Sequence, residues 1–177
     1  MTTIETRLRA LEDRAEIAQL RAEYCHVLDS HDWQALTGLF TEDGEFQGLA
    51  QVKGRAAIFT FFSQTVTKLG EGFWHFCTNP TIYLDGDRAM GRISMQYLSV
   101  RDGVSYVSAG HYDDELERTA DGWKFRKRQI TFYYFNTLAN GFVGQPTYIN
   151  ADGTPVGNGV GQGHAAPAQP IQDRITQ

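Results

Sequence analysis

The chain has 177 residues, the size of one ordinary domain, and its 41% hydrophobic and 12% aromatic content can fill a core. A formal charge of −5 with both signs interspersed argues against a nucleic-acid surface, which needs a basic stripe. No run of apolar residues is long enough to span a membrane, and the opening Met-Thr-Thr-Ile-Glu-Thr-Arg lacks the apolar core of a signal peptide.

These priors predict an intracellular, cytoplasmic protein. The two cysteines, Cys25 and Cys77, sit in apolar patterns and read as reduced, buried fillers.

Residues 3–30 read as a helix. Ile4, Leu8, Leu11, Ala15, Ala18, Ala22 and Cys25 recur at alternating steps of four and three. The next step is Asp29, so a helix burying this stripe turns that carboxylate toward the interior. A buried carboxylate is costly unless paired, and His75, in a later strand-like run of aromatics, is the predicted partner.

Ser30-His31-Asp32 interrupts the pattern, and Ser30 or Asp32 can cap a short second helix holding Trp33, Leu36 and Leu39. Thr41-Glu42-Asp43-Gly44 reads as a turn, and Glu45 to Val52 as a short strand. Gly54 opens a third helix with Ile58, Phe62, Thr65 and Leu69 on one face, closed by Gly70-Glu71-Gly72.

The period then changes to two. Phe73–Tyr83, Arg88–Val100, Val104–Glu117 and Trp123–Phe135 read as strands, joined at Asp85-Gly86, Asp102-Gly103 and Asp121-Gly122. Three Asp-Gly turns specify an antiparallel meander. Helices first and sheet after is an α+β order, with the N-terminal helices covering one face of a cone-shaped, curved antiparallel sheet. From about residue 140 the chain holds four of the five prolines and seven of the eighteen glycines without periodicity. Residues 1–140 therefore read as the domain, and 141–177 as a Gly/Pro-rich tail, lid or partly disordered.

The open end of such a sheet is a natural ligand cavity. The candidate lining is Tyr24, Asp29, His75, His111 and Arg128, with Trp74 and Phe132 as further substrate contacts. Two of these are histidines, the residue type best suited to proton transfer near neutral pH. Asp29 can orient His75, and Tyr24 can polarise a carbonyl or protonate a leaving oxygen. Parity places His75 with Phe73 and Cys77, Arg126 and Arg128 with Ile130 and Phe132, and His111 with Val107 and Ala109. No phosphate loop, serine or cysteine nucleophile motif, or short-spaced metal ligand pair stands out.

These residues carry a resemblance. Arg14-Ala15-Glu16-Ile17 leading to Tyr24 and Asp29, His75-Phe76-Cys77-Thr78-Asn79, Gly110 to Arg118, Gly122-Trp123-Lys124-Phe125 and Lys127-Arg128 are similar to the SnoaL-like, scytalone dehydratase-like branch of the nuclear transport factor 2-like superfamily. That branch includes bile acid 7α-dehydratase and hexachlorocyclohexane dehydrochlorinase. The resemblance covers roughly residues 5–140 and implies a cystatin-like α+β barrel with no cofactor and no metal.

It also implies an Asp29–His75 dyad in which His75 takes a proton from carbon, Tyr24 acts as acid, and Arg128 lies in the pocket. A tyrosine at position 24, where the dehydrochlorinase has lysine, favours an oxygen leaving group. The expected activity is a cofactor-independent, dehydratase-type lyase acting on a small hydroxylated cyclic or aromatic substrate. The alternatives are an isomerase or cyclase, or a non-catalytic binding module. Tyr97, Tyr106, Phe132 and Tyr134 are expected to cover the open sheet face in a homo-oligomer, a trimer by resemblance.

Overall fold

The computed structural model describes residues 3–70 and 72–139. Helix α1 spans Ile4–Asp29, started by Thr3, whose hydroxyl accepts from the Thr6 amide. His31 then takes a positive φ of 60°. Asp32 caps the next helix, α2 (Trp33–Gly38), by accepting from the Ala35 amide. Strands β1 (Phe40–Gln47) and β2 (Gln51–Lys53) form a hairpin. Helix α3 (Arg55–Gln64) follows Gly54, whose φ of 84° suits glycine, and runs into a 3₁₀ turn at Val66–Lys68.

The rest is sheet: β3 (Gly72–Thr78), β4 (Tyr83–Asp85), β5 (Arg88–Arg101), β6 (Val104–Thr119) and β7 (Gly122–Thr137). Strands β5, β6 and β7 form the expected meander. At the β5–β6 hairpin, φ is positive at both Asp102 (49°) and Gly103 (71°), the geometry that twists with the strands. The sheet order is β2-β1-β7-β6-β5-β3, with β4 on β5.

Three expectations about this frame are corrected. The sheet is mixed, because β1 runs parallel to β7, and its end strands β2 and β3 do not pair, so no barrel closes. The Thr41–Gly44 stretch is not a turn. It lies within β1, where the register against β7 shifts between Phe40 and Glu45 and an irregular strand imitates turn composition. Phe73–Tyr83 is two strands, divided around Asn79-Pro80, with a positive φ of 54° at Asn79.

The buried stripe of α1 is also not the one the apolar spacing predicts. Ile4, Leu8 and Leu11 are 77%, 55% and 65% exposed, and Ala15, Ala18 and Ala22 face solvent. The inward face is Asp13, Ile17, Leu20, Arg21, Tyr24, Cys25 and Leu28. Two members are charged, so a hydrophobicity pattern misses them. Both are paired: Asp13 accepts from Arg118 Nη2 at 2.5 Å and from the Trp123 indole at 3.2 Å, and Arg21 Nε donates to Asp114 at 2.9 Å. Pairing of this kind is what permits burial. Thr65 likewise turns out of the core, because α3 ends at Gln64 and Val66 takes the inward place.

Two bulges set which face each β7 side chain occupies. The β6–β7 register slips between Glu115 and Leu116, and again between Ala109 and Gly110. The first slip separates Arg126, which pairs outward with Glu115 at 2.7 Å, from Arg128, which is fully buried. The predicted common face of these two arginines is therefore wrong. At the second slip a Cβ on Gly110 would collide with the Thr131 carbonyl oxygen, so the close strand approach there requires glycine.

Candidate active site

Asp29 is the last residue of α1, beside the inward-facing Leu28, so its side chain leaves the helix end at the rim of the core. Strand β3 passes this point with Phe73, His75 and Cys77 inward and Trp74 and Phe76 outward. Asp29 meets His75 twice. Its Oδ1 lies 2.6 Å from His75 Nδ1, and its Oδ2 accepts the His75 backbone N–H at 2.9 Å. The second contact fixes the carboxylate against the strand, and the first fixes the ring. With Asp29 ionised, Nδ1 carries the proton and Nε2 is left with a free lone pair. The carboxylate is not sealed: the Asp29 side chain remains 20% exposed.

His75 forms part of the wall of a small, predominantly apolar cavity that is partly open to solvent. Leu28 and Tyr24 come from α1, Phe46 from β1, Phe62 from α3, Phe73 and His75 from β3, and Ile130 and Phe132 from β7. Among the described residues that line it, only Tyr24, His75 and Tyr97 carry polar side-chain atoms. Tyr97 lies directly across the β3–β5 pair from His75, their ring centres 5.0 Å apart.

Tyr24 packs edge-on against Phe40, Tyr112 and Phe125. Burial pushes its phenol well above the usual tyrosine range, with the Arg128 charge pulling the other way. The group is therefore a neutral phenol at neutral pH.

Arg128 stands behind this wall and not in it. Its Nε and Nη2 donate to Asp114 at 2.8 and 3.1 Å, and its guanidinium carbon lies 4.1, 4.2 and 4.1 Å from the ring centres of Tyr24, Tyr112 and Phe125. Asp114 is shared with Arg21, so one carboxylate serves two buried cations. Among the described residues, Arg128 Nη1 has no hydrogen-bond partner. The expected substrate contact at Arg128 is thus replaced by a cation–π support beneath Tyr24.

Two further expectations are corrected. Trp74 is 50% exposed, because strand alternation sends it opposite to His75. His111 alternates with the inward Tyr112 and lies on the outer face, where Nδ1 meets the Tyr133 hydroxyl at 2.7 Å and Nε2 lies 3.3 Å from Asp113. Neither lines the cavity. Phe132 does, and so does Tyr97, both of which are also expected on the open sheet face. Asp114 and Arg21 were missed altogether. Their signal was a charged residue at an inward position of an otherwise apolar strand or helix, legible only once the faces were known.

The SnoaL-like domain family matches residues 9–129. The chain belongs to that family. Members of this kind fall within the nuclear transport factor 2-like superfamily, and the curved mixed sheet under N-terminal helices is its architecture.

Uncharacterised proteins of Mycobacterium tuberculosis and Mycobacterium bovis are 30% identical to this SnoaL-like chain over 128 residues, 68% of it and 86% of each relative. Among solved structures, a nuclear transport factor 2-like protein with a cystatin-like fold from Novosphingobium aromaticivorans is 34% identical. It covers 75% of this chain and 91% of its own, with a TM-score of 0.64. A hexachlorocyclohexane dehydrochlorinase from Novosphingobium barchaimii is 26% identical, covering 79% and 99%, with a TM-score of 0.70. Among the described residues of this SnoaL-like domain no helix is long and apolar enough to cross a membrane.

Proposed function

We propose that the protein is a cofactor-independent lyase in which His75 removes a proton from carbon and a small group leaves the neighbouring carbon. The observation that carries this reading is the 2.6 Å contact between Asp29 and His75 Nδ1 on the wall of an apolar cavity. A histidine held this way presents Nε2 as a base, and the adjacent carboxylate stabilises the imidazolium that forms. Tyr24, a phenol on the same wall, gives a proton to the departing oxygen or polarises a neighbouring carbonyl. The apolar lining suits a small hydroxylated ring, cyclic or aromatic. Likeness to a dehydrochlorinase supports elimination as the reaction class, and tyrosine as the acid favours water over halide.

A second reading is supported by the small number of polar groups in the cavity. With three polar side chains on the wall, the same base and phenol suit an isomerisation in which the proton returns to another carbon.

Product mass distinguishes the two. Purified protein would be incubated with a panel of hydroxylated aromatic, alicyclic and steroid-like compounds, with His75→Ala as control. A His75-dependent loss of water supports the lyase. A product of unchanged mass and shifted retention supports the isomerase. A positioned base contributes about 10²–10⁴ in rate, so His75→Ala should lose at least that much while keeping its fold. Near-wild-type turnover in that variant would sink both readings.

A further inference from the structure

Cys25 and Cys77 are the chain's two cysteines, and the fold brings them together. Their sulfurs lie 3.5 Å apart, joining residues 52 positions apart in sequence. Cys25 is one helical turn before Asp29 on α1. Cys77 is two residues after His75 on the same face of β3. The two free cysteines thus form a facing dithiol between the elements that carry the Asp29–His75 contact.

Cys25 is buried and Cys77 half-buried, so Cys77 is the more exposed of the two residues. With Cys25 as donor, the hydrogen bond between them holds Cys77 below the usual thiol range, against the opposing effect of burial. The same bond, together with burial, pushes Cys25 up. A disulfide is about 2.0 Å long, so about 1.5 Å remains to be closed, within reach of small rotations of the two side chains.

We propose that Cys25 and Cys77 form a reversible disulfide site that clamps α1 to β3 beside Asp29 and His75, oxidised by exchange with a small-molecule disulfide. The Cys77 thiolate attacks one sulfur of the reagent, forming a mixed disulfide and releasing one thiolate. That thiolate takes up the Cys25 proton. The Cys25 sulfur then attacks the Cys77 sulfur and expels the second reagent thiolate, which is protonated from water. In total, two protein thiols are oxidised and one reagent disulfide is reduced to two thiols. An excess of small thiol reverses each step. The clamp closes a long loop, so it stabilises the oxidised fold chiefly by restricting the unfolded chain.

The test uses the full chain and hydroxyethyl disulfide as the probe. After exchange, the protein is alkylated with iodoacetamide in denaturant and weighed intact. The expected product is a monomer about 2 Da lighter with no alkylated thiol, returned to two alkylated thiols by dithiothreitol. It should melt about 5 °C or more above the reduced protein. Cys25→Ser and Cys77→Ser should each fail to form the lighter species and show no such rise. Two alkylatable thiols after exchange, a lasting mixed disulfide on Cys77, or a disulfide-linked dimer would overturn the site. An oxidised monomer that melts no higher than the reduced one would overturn the clamp. The readouts are thiols, mass and melting, so this site stands or falls apart from the proposed reaction.

Discussion

At the scale of single residues, the site depends on how Asp29 divides its two oxygens. One holds the His75 ring and the other holds the His75 backbone. Asp29→Asn keeps the size and a hydrogen-bonding group but removes the charge that stabilises an imidazolium. Its kcat should fall by about 10²-fold or more with KM nearly unchanged, as steady-state kinetics on an accepted substrate would show. A change confined to KM would make Asp29 a binding group instead. Tyr24→Phe deletes one oxygen from the cavity wall and leaves the three aromatic contacts in place. A loss of about 10² in kcat is expected if the phenol donates to developing negative charge. Unchanged kcat would reduce Tyr24 to a wall residue.

At the scale of elements, α1 is held by polar as well as apolar ties. Ile17 is fully buried, whereas Leu11 is 65% exposed although it falls on the apolar spacing. Ile17→Ala should cost about 2–5 kcal/mol in denaturant unfolding, and Leu11→Ser should stay within about 0.5 kcal/mol. Equal costs would contradict the inward face described above. Asp114 binds α1 through Arg21 and β7 through Arg128, with all three side chains almost fully buried. Asp114→Ala leaves two buried guanidinium groups without their carboxylate and should cost about 3–5 kcal/mol. A loss below about 1 kcal/mol would show that the carboxylate was not holding the two elements together. The β7 bulges matter at this same scale, because each one breaks the alternation of side chains along the strand.

At the scale of the whole molecule, the sheet has two chemically different faces. The inner face carries the cavity, and the outer face carries ion pairs around His111, Asp113 and Arg92. Burial alone would raise the Asp113 pKa. Hydrogen bonds from His111 and Arg92 outweigh it and hold the carboxyl well below the usual range. A carboxyl with a depressed folded pKa stabilises the ionised, folded protein. Its contribution is fully present above the unfolded-chain value of about 3.9 and is lost as pH falls from there through the lower folded value. Melting temperatures of wild type and Asp113→Asn, followed from pH 6 downward, should differ above pH ~4 and converge below it. A gap that stays constant across that window would rule out the linkage.

The sequence by itself determined the helices-first, sheet-after order and the β5–β7 meander, and it named Asp29 and His75 as partners. The order and the meander rest on local signals, the Asp-Gly turns at 102 and 121 and the Asp32 cap, whereas Asp29 meets His75 although most of the apolar stripe that led to it faces solvent. Local rules failed where a residue's face depended on a distant partner. Asp13 and Arg21 are buried because Arg118, Trp123 and Asp114 meet them across the fold. Arg128 points inward while Arg126 points outward because a register slip against β6 changes the alternation between them. The Thr41–Gly44 stretch lies within β1 because Phe40 before it and Glu45 after it both pair with β7, a long-range pairing that no short window contains. The tail expected from about residue 141 lies outside the described residues. Tertiary structure alone decided which polar groups enter the cavity and that two separated thiols meet. Strand register and helix docking are set by the sum of long-range contacts, and sequence periodicity carries no record of that sum.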